Sequence, residues 1–276
     1  MKTFVISLQR SKRRREFMIE QCNRLDLDYE VFDAVDGQSL TEGEISHYCD
    51  INAVRNHSGY YASNGTLGCS LSHYLVLKKI VEQNLEYAFI IEDDALLPQN
   101  INDILTELSH VIRKNEVISL FYTSHQIIKL SFKGVETLKS GELLYPINIQ
   151  DVAAATAYVV HKEAAKGMIK FNSPIKTTSD AWHKFYSYGG IASFRCLYPP
   201  PVKLEYFKSS IDYVAFESII GKITAVIDKY KIPALYQLLT YKRKQLLKGL
   251  SKFELVNEAS PIYERLISRE DTRDIK

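Results

Sequence analysis

The apolar positions of the chain follow two patterns, short continuous runs and longer stretches with helical spacing. Short runs rich in β-branched and aromatic residues at 2–8, 29–32 and 87–91 predict buried strands. Between residues 67 and 83 the apolar side chains share one helical face, which predicts a long helix. The same reasoning predicts helices at 15–25, 102–113, 162–171 and 180–188 and strands at 117–122, 153–160 and 192–197. Strands that alternate with helices in this way predict an α/β sheet with helices on both faces.

Three shorter segments predict helix starts or irregular structure. Thr41 and Glu44 have capping-box spacing and predict the start of a short helix. Asn, Ser and Gly recur throughout residues 52–66, so we expect a loop there. Three consecutive prolines at 199–201 predict an extended segment, because neither a helix nor a central strand accepts them.

The character of the chain changes beyond about residue 211. Residues 221–252 carry eight Lys or Arg and one Asp, a local charge of +7, whereas the whole chain carries +2. We expect helices here, broken at Pro233 and near Pro261, so that a main domain at 1–211 is followed by a basic helical extension at 212–276. One face of the extension carries Leu235, Leu239, Leu246 and Leu250.

This amphipathic pattern leaves two interpretations open. The segment 221–252 can bind peripherally to an anionic membrane surface, or it can pack on the main domain. Nucleic acid is not an expected partner, because the residues between the basic ones are mostly Leu rather than exposed aromatics.

The composition is that of a globular protein: 276 residues, 46% apolar and 25% charged. No window reaches the roughly 20 apolar residues that span a bilayer, and the first apolar run is too short for a secretory leader. We therefore expect a cytoplasmic protein. The cysteines are scattered without a Cys-x-x-Cys pair, so neither disulfides nor a zinc site are expected. They are Cys22, Cys49, Cys69 and Cys196.

Three adjacent acids, Glu92, Asp93 and Asp94, follow directly on the strand predicted at 87–91. Open α/β sheets bind ligands beyond the carboxyl ends of their strands, and side-chain alternation points Glu92 and Asp94 to one side. Converging carboxylates suit Mg²⁺ or Mn²⁺, which complete their coordination with phosphate oxygens. Alternatively, the acids cap the next turn or pair with Lys and Arg.

Four segments in order resemble glycosyltransferase family 25, which includes the lipooligosaccharide galactosyltransferases and their collagen-modifying relatives. They are residues 5–8 (VISL) with Arg13 and Arg14, 32–37 (FDAVDG), 67–73 (LGCSLSH) and 90–94 (IIEDD). The family form of the third segment begins Gly-Glu-Ile, and here Thr66 stands in place of that Glu. The resemblance spans roughly residues 1–211.

This resemblance implies a GT-A type, Rossmann-like nucleotide-sugar-binding fold with a mixed sheet. It also implies an inverting reaction that requires a divalent metal, Mn²⁺ or Mg²⁺. It implies transfer of a hexose, galactose in the first instance, from a UDP-sugar to a bacterial lipooligosaccharide or lipopolysaccharide. That lipid-linked acceptor would lie on the cytoplasmic face of the inner membrane. A UDP-glucose donor, a metal-dependent phosphohydrolase and a non-enzymatic, membrane-associated binding protein are the alternatives.

The resemblance also nominates site residues. Glu-Asp-Asp corresponds to the family's Asp-x-Asp motif, so Asp94 is the expected metal ligand. Glu92 and Asp93 are expected to contact metal, ribose or a bridging water. Asp180 matches a family acid and is the candidate base, although it could instead cap the helix after it; Asp151 is the second candidate.

The remaining candidates lie at the ends of the first two predicted strands and around Asp180. Expected nucleotide-sugar contacts are Leu8, Gln9, Arg10, Arg14, Asp33 and Ala34. Asp33 could instead stabilise its own turn. His73 is expected to pack on its helix with one hydrogen bond rather than to act in catalysis. Trp182 either fills the core or stacks on a sugar, and His183 is either a third metal ligand or a surface residue.

Overall fold

The computed structural model describes residues 1–58, 63–205, 207, 227, 230, 233–239, 241 and 252–271. The strands are β1 (Thr3–Ser7), β2 (Tyr29–Asp33), β3 (Tyr87–Glu92), β4 (Ala95–Leu96), β5 (Glu116–Ser119), β6 (Ile128–Leu138), β7 (Gly141–Pro146), β8 (Ala157–His161), β9 (Ser193–Tyr198), β10 (Lys203–Leu204) and β11 (Phe253–Val256). The helices are α1 (Lys12–Arg24), α2 (Glu42–Tyr48), α3 (Ile51–Ser58), α4 (Asn64–Glu82), α5 (Ile101–Val111), α6 (Lys162–Phe171), α7 (Trp182–Ser187) and α8 (Pro261–Asp271). Short 3-10 helices occupy Gly37–Ser39 and Ile149–Asp151.

Nine of these strands form one mixed sheet in the order β11-β6-β7-β9-β5-β8-β3-β1-β2, and β4 pairs with β10 separately. Strand β1 runs parallel to both β2 and β3, so the carboxyl ends of these three strands share one edge. Strand β8 is antiparallel to both β3 and β5. The predicted α/β sheet is confirmed, and its central strands are mixed rather than all parallel.

Apolar side chains cover both faces of the sheet, as the continuous runs in β1 and β3 predict. Phe4 and Ile90 pack with Ile80 of α4 in one buried cluster. Val5 and Phe89 point the other way, into a second cluster that includes residues of α1 and α5. Successive residues of a strand face opposite sides, so fully apolar strands require helices on both.

The prediction of a loop at 52–66 is wrong, because helix α3 occupies 52–58 and helix α4 begins at Asn64. One of the polar residues that indicated a loop, Ser63, acts instead as a helix cap, and so does Asp50 just before that segment. Asp50 Oδ1 accepts a hydrogen bond from the Ala53 amide, and Ser63 Oγ accepts one from the Thr66 amide. Short polar residues favour both loops and helix starts, so composition alone does not separate the two. The capping box of Thr41 and Glu44 is confirmed.

Two further differences concern strands. The hairpin of β6 and β7 was not predicted, although residues 128–132 alternate apolar and polar positions. The strand expected at 153–160 begins only at Ala157, because Ala154 has a φ of +82°, which is incompatible with a strand.

Part of the expected helical extension belongs to the main sheet. Strand β11 pairs in parallel with β6, and Ile262 of α8 is buried in the core cluster that contains Phe4. Pro261 begins α8, a position that proline favours because its missing amide would be unbonded there anyway. Most of 221–252, with the predicted apolar positions Leu246 and Leu250, lies outside the described residues. Within the described part of the chain, no helix is both long and apolar enough to cross a bilayer.

Candidate functional site

A cavity of about 340 Å³ opens at the carboxyl ends of the parallel strands β1, β2 and β3. It lies where the sheet topology places ligand sites in α/β folds. The residues that line it come from the strand ends, including that of β10, from α1 and α4, and from the segments that follow β1, β2 and β3. They are Ile6, Leu8, Arg10, Arg14, Ala34, Val35, Asp36, Gly37, Gln38, Ser63, Asn64, Gly65, Cys69, Ser72, Glu92, Asp93, Asp94, Thr156 and Leu204.

Close backbone packing fixes one wall of the cavity. A Cβ atom at Gly68 would lie 2.6 Å from the Gly37 amide nitrogen, and one at Gly37 would lie 1.7 Å from the Asn64 carbonyl oxygen. The Val35 amide donates to Ser72 Oγ at 2.8 Å, which ties the segment after β2 to the same helix. Helix α4 therefore presents its first residues to the cavity. A helix N-terminus carries free amide groups and a partial positive charge, both suited to an anionic ligand.

Arg14 forms ion pairs with two of the three acids. Its Nη2 lies 2.6 Å from Asp93 Oδ1 and 2.7 Å from Asp94 Oδ2. Asp93 Oδ2 also accepts a hydrogen bond of 2.7 Å from Ser7 Oγ. The alternative in which the acids pair with a basic residue is thus confirmed for Asp93 and Asp94. The strand ends at Glu92, so the alternation that would place Glu92 and Asp94 together does not extend to Asp94.

The charge of Asp94 is only partly compensated. Burial and the nearby Glu92 carboxylate raise the pKa of Asp94 to about 7, although Arg14 opposes this shift. Asp94 Oδ1 is buried, and it has no hydrogen-bond partner among the described residues. A divalent cation would both satisfy this oxygen and lower the pKa, so these residues fit a hard metal ion. Glu92 and Asp93 line the same cavity and could complete its ligand set.

Glu92 faces helix α4. Its Oε1 lies 3.1 Å from His73 Nε2, and His73 Nδ1 lies 3.0 Å from the Tyr158 hydroxyl. Thr156 Oγ1 donates to Glu92 Oε2 at 3.5 Å. Burial acts to raise the pKa of Glu92, but the hydrogen bond and charge of His73, with the charge of Arg14, outweigh it and lower that pKa. His73 is buried as predicted, with two hydrogen-bonding contacts rather than one.

Asp180 lies beside the cavity without lining it. The next residue back, Ser179, places its Oγ 3.8 Å from Cys69 Sγ, and Asp180 Oδ2 accepts a hydrogen bond of 3.3 Å from the Ala154 amide. Burial first, and then the charges of Glu92, Asp180 and Asp94, raise the pKa of the Cys69 thiol. The capping alternative for Asp180 is wrong, because Ala181 holds the cap position of α7 and no side chain caps it.

Several other predicted residues lie outside the cavity lining. Gln9 Nε2 donates to Asp33 Oδ2 at 2.8 Å, and Arg15 Nη1 lies 2.6 Å from Asp33 Oδ1. The hydrogen bonds from Gln9 and Arg15 lower the pKa of Asp33, and the smaller effect of burial, which raises it, does not cancel them. Asp151 ends the 3-10 helix Ile149–Asp151. By contrast, Leu8, Arg10, Arg14 and Ala34 line the cavity, and their contact with a nucleotide sugar stays a prediction.

Trp182 and His183 do not contribute to the cavity lining. The Trp182 ring is fully buried, contacts Tyr158 and Phe194, and donates from Nε1 to the Ala154 carbonyl at 3.1 Å. The core alternative is confirmed for it, and stacking on a sugar is excluded. His183 is partly exposed on α7.

Several polar lining residues were not predicted from the sequence. They are Asp36, Gln38, Ser63, Asn64, Cys69, Ser72 and Thr156. Asp36 pairs with the predicted Arg10 through both carboxylate oxygens. Asp36 and Cys69 fall inside the segments 32–37 and 67–73 that carry the family resemblance, so those segments contained the signal.

Three proteins illustrate the sequence similarity of this chain to known proteins. A Haemophilus influenzae protein that carries a provisional glycosyltransferase name is 27% identical over 180 residues, covering 64% of this chain and 61% of that protein. Lipooligosaccharide biosynthesis protein lic2B of Haemophilus influenzae is 26% identical, covering 59% of this chain and 60% of that protein. Human procollagen galactosyltransferase 2 is 30% identical over 61% of this chain and 27% of that protein.

The chain therefore spans about three fifths of these bacterial relatives and about a quarter of the human one. The model of the family described as glycosyltransferase family 25 (LPS biosynthesis protein) matches residues 1–182. That match covers every strand and helix around the cavity except β10. The chain belongs to glycosyltransferase family 25.

Proposed function

We propose that this chain is an inverting, metal-dependent transferase that moves a hexose from a UDP-sugar to a lipooligosaccharide or lipopolysaccharide acceptor. The observation that carries the proposal is the cavity at the ends of β1, β2 and β3, where the acidic triplet and the start of α4 meet. Family membership and the similarity to lic2B support the reaction class and the acceptor. We propose galactose as the sugar, by analogy with procollagen galactosyltransferase 2, and a GT-A type fold.

The chemistry of the cavity walls supports a nucleotide-sugar donor there. Leu8 and Ala34 offer apolar contact for a uracil ring, and Arg10 and Arg14 offer cationic contact for a diphosphate. Asp94 would hold the divalent cation, Mn²⁺ or Mg²⁺, with Glu92 and Asp93 in support. When bound, such a cation stabilises the negative charge that develops on the departing diphosphate.

Asp180 is the proposed base. It would accept the proton of the acceptor hydroxyl, whose oxygen then bonds to the anomeric carbon as the bond to UDP breaks. A carboxylate is suited to this step because it can accept the proton in the transition state. Its place beside Ser179 and Cys69, next to the cavity, supports Asp180 over Asp151, which ends a separate 3-10 helix.

The acceptor is proposed to lie at a membrane surface, with 221–252 as the contact. This segment carries a local charge of +7 in the sequence, which favours anionic lipid. Among its described residues, Leu235 and Leu238 are about half exposed, and Tyr230 and Tyr241 are more exposed still. Exposed Leu and Tyr beside many basic residues suit insertion at the cytoplasmic face of an inner membrane.

The proposal is tested by incubating the protein with Mn²⁺, truncated lipooligosaccharide and either UDP-galactose or UDP-glucose. We expect one added hexose whose anomeric configuration is inverted relative to the donor, with faster transfer from UDP-galactose. Asp180→Asn should reduce kcat at least about a hundredfold, as loss of a general base does, while Asp151→Asn should retain activity. Phosphate release that is independent of acceptor would instead identify a phosphohydrolase, and no turnover of either donor would remove the enzymatic assignment.

A further inference from the structure

The end of β3 offers a second set of donor atoms, on the side of helix α4. Cys69 and His73 lie one helical turn apart, so both side chains point to the same side of α4, towards Glu92. The distance from His73 Nε2 to Glu92 Oε1 is 3.1 Å, and that from Cys69 Sγ to the same oxygen is 3.9 Å. One ligand atom from each of the three residues lies within 4.8 Å of the others.

These spacings approach those of ligands around one small ion. With zinc bonds of about 2.0–2.3 Å, tetrahedral nitrogen, oxygen and sulfur ligands lie about 3.3–3.7 Å from one another. The two distances to Glu92 fall just below and just above that range. All three ligand atoms lie within 4.8 Å of one another, so side-chain adjustment would bring them to bonding distance from one ion.

The ligand types select the metal. A thiolate and an imidazole are borderline or soft donors that favour Zn²⁺ and its neighbours, whereas Mg²⁺ and Mn²⁺ favour oxygen. Asp93 and Asp94 supply only oxygen and interact with Arg14 instead. The end of β3 therefore carries two chemically different ligand sets, and Glu92 is the residue between them.

Each of the three donor residues has a further polar contact behind it. The Tyr158 hydroxyl contacts His73 Nδ1 at 3.0 Å, which leaves Nε2 directed at Glu92. Thr156 Oγ1 donates to the other oxygen of Glu92, and Ser179 Oγ lies 3.8 Å from Cys69 Sγ. Metal-binding histidines characteristically have their second ring nitrogen held in this way.

The surroundings also favour a cation with an open coordination position. His73 is buried, while Cys69 and Glu92 are partly exposed and line the cavity. Asp94 and Asp180 lie close enough to Cys69 for their negative charges to act on its thiol. Three protein ligands with a fourth position facing a cavity is the arrangement of open zinc sites.

We propose that Cys69, His73 and Glu92 bind one zinc-class transition-metal ion, with the fourth position open to the cavity. Binding converts the Cys69 thiol to a thiolate and releases its proton to solvent, while Glu92 binds as a carboxylate and His73 as neutral imidazole. The proposed site differs from the kind of zinc site considered in the sequence analysis, because its cysteine is paired with a histidine four residues on rather than with a second cysteine. The proposal does not depend on the transferase assignment.

Cobalt titration tests the site, because Co²⁺ substitutes for Zn²⁺ and a cobalt–thiolate bond adds a near-ultraviolet charge-transfer band. We expect one Co²⁺ per chain to carry that band in the wild-type protein, and Zn²⁺ to displace this Co²⁺. Cys69→Ser should remove the band and weaken Zn²⁺ binding at least about tenfold. Tyr158→Phe should retain the band and weaken binding about 10–100-fold, as the loss of an outer-shell partner does.

Two control variants distinguish this site from the buried thiols and from the oxygen ligand set. Cys22→Ala removes a buried thiol that packs in the core cluster on the opposite face of the sheet and should leave the band unchanged. Asp94→Asn should also leave it unchanged, because Asp94 belongs to the oxygen ligand set. Absence of stoichiometric Co²⁺ and Zn²⁺ binding by the folded wild-type protein would overturn the proposal. So would a cobalt spectrum without the thiolate band, or a band that Cys69→Ser retains.

Discussion

At the residue scale, the acidic triplet is tolerated because two different partners divide its charge. Arg14 contacts Asp93 and Asp94, and His73 contacts Glu92. The partners come from α1 and α4, which pack on opposite faces of the sheet. The charge balance of the site therefore depends on both helices, and a change at either partner should alter stability and metal binding together.

Replacing Arg14 by Met should expose this balance. Removal of one partner from a buried ion pair costs about 3–5 kcal/mol, because the other charges remain buried without compensation. We therefore expect Arg14→Met to lose about 3–5 kcal/mol of unfolding free energy. The measurement is urea denaturation in EDTA, at a pH above the pKa of Asp94. Mn²⁺ should stabilise Arg14→Met more than the wild-type protein, because a cation can take the place of the guanidinium.

The matched control is Arg15→Met, one residue away on α1. Arg15 pairs with the more exposed Asp33, and exposed pairs contribute about 0–1 kcal/mol. Equal losses at the two positions, or an equal effect of Mn²⁺ on Arg14→Met and wild type, would show that Arg14 is not the counter-charge of the triplet.

The pKa of Asp94 predicts a pH dependence of stability. A pKa raised from 3.8 to about 7 means that the folded protein binds this proton more tightly than the unfolded chain does. The contribution of Asp94 to stability is therefore greatest below pH 3.8 and falls as pH rises towards about 7. In EDTA, the stability of wild type relative to Asp94→Asn should decline across this interval, and Mn²⁺ should suppress the decline. Parallel pH profiles for the two proteins, measured by denaturation, would show that Asp94 does not hold this proton.

At the element scale, the 3-10 helix Gly37–Ser39 and α4 form one wall of the cavity. They can approach each other closely only because Gly37 and Gly68 have no side chains. We expect Gly68→Ala to cost about 1–3 kcal/mol, as overpacking does, because its Cβ would lie 2.6 Å from one backbone atom and 2.7 Å from another. The displaced wall should also weaken UDP binding. Gly43→Ala is the control, because nothing lies within 4 Å of its Cβ in α2 and Ala favours a helix. Thermal melts and UDP titration of both variants check the prediction, and similar behaviour of the two would refute it.

Local patterns were sufficient for elements whose own residues determine them. Strand β3 and helices α4 and α6 were predicted because their apolar spacing reflects the faces they bury. Helix α3 was missed because short polar residues serve equally as loop residues and as caps. Strand β11 was missed because it depends on pairing with β6, more than a hundred residues earlier in the chain.

The same distinction applies to the site. Asp94 and Arg14 were nominated from short segments, but the two helices decide which acid each partner contacts. The pairing of His73 with Glu92 arises only when α4 packs on the sheet, so no spacing in the sequence predicts it. Cys69 was missed as a site residue although it falls inside the segment 67–73 that carries the family resemblance.

At the scale of the whole molecule, opposite edges of the sheet serve different purposes. Strands β3 and β5 run in the same direction, since both are antiparallel to β8, so Glu116 at the start of β5 lies at the edge away from the cavity. There Arg195 of β9 binds both carboxylate oxygens of Glu116, at 2.9 and 2.8 Å, and contacts Glu136 of β6. This buried cluster joins three strands, and none of its three members lines the cavity.

Arg195→Met should therefore reduce stability without changing the ligand site. Leaving Glu116 buried and unpaired should cost about 3–5 kcal/mol in denaturant titrations. UDP affinity of the folded fraction should match that of wild type. Lys2→Met, which removes a partner from the more exposed pair with Asp28, should cost less than about 1 kcal/mol. A loss of UDP affinity in Arg195→Met under conditions where it is fully folded would contradict the separation of the two edges.

The most direct test of the proposed donor site is calorimetric titration of the protein with UDP, UDP-galactose and UDP-glucose, in Mn²⁺ and in EDTA. We expect binding of one nucleotide per chain in Mn²⁺, tighter for UDP-galactose than for UDP-glucose. Binding should weaken at least about tenfold in EDTA and to the same extent in Asp94→Asn. A tenfold weakening corresponds to a loss of about 1.4 kcal/mol of binding free energy. Absence of nucleotide binding by the folded protein, or binding that neither EDTA nor Asp94→Asn alters, would contradict a metal-dependent nucleotide-sugar site at the end of β3.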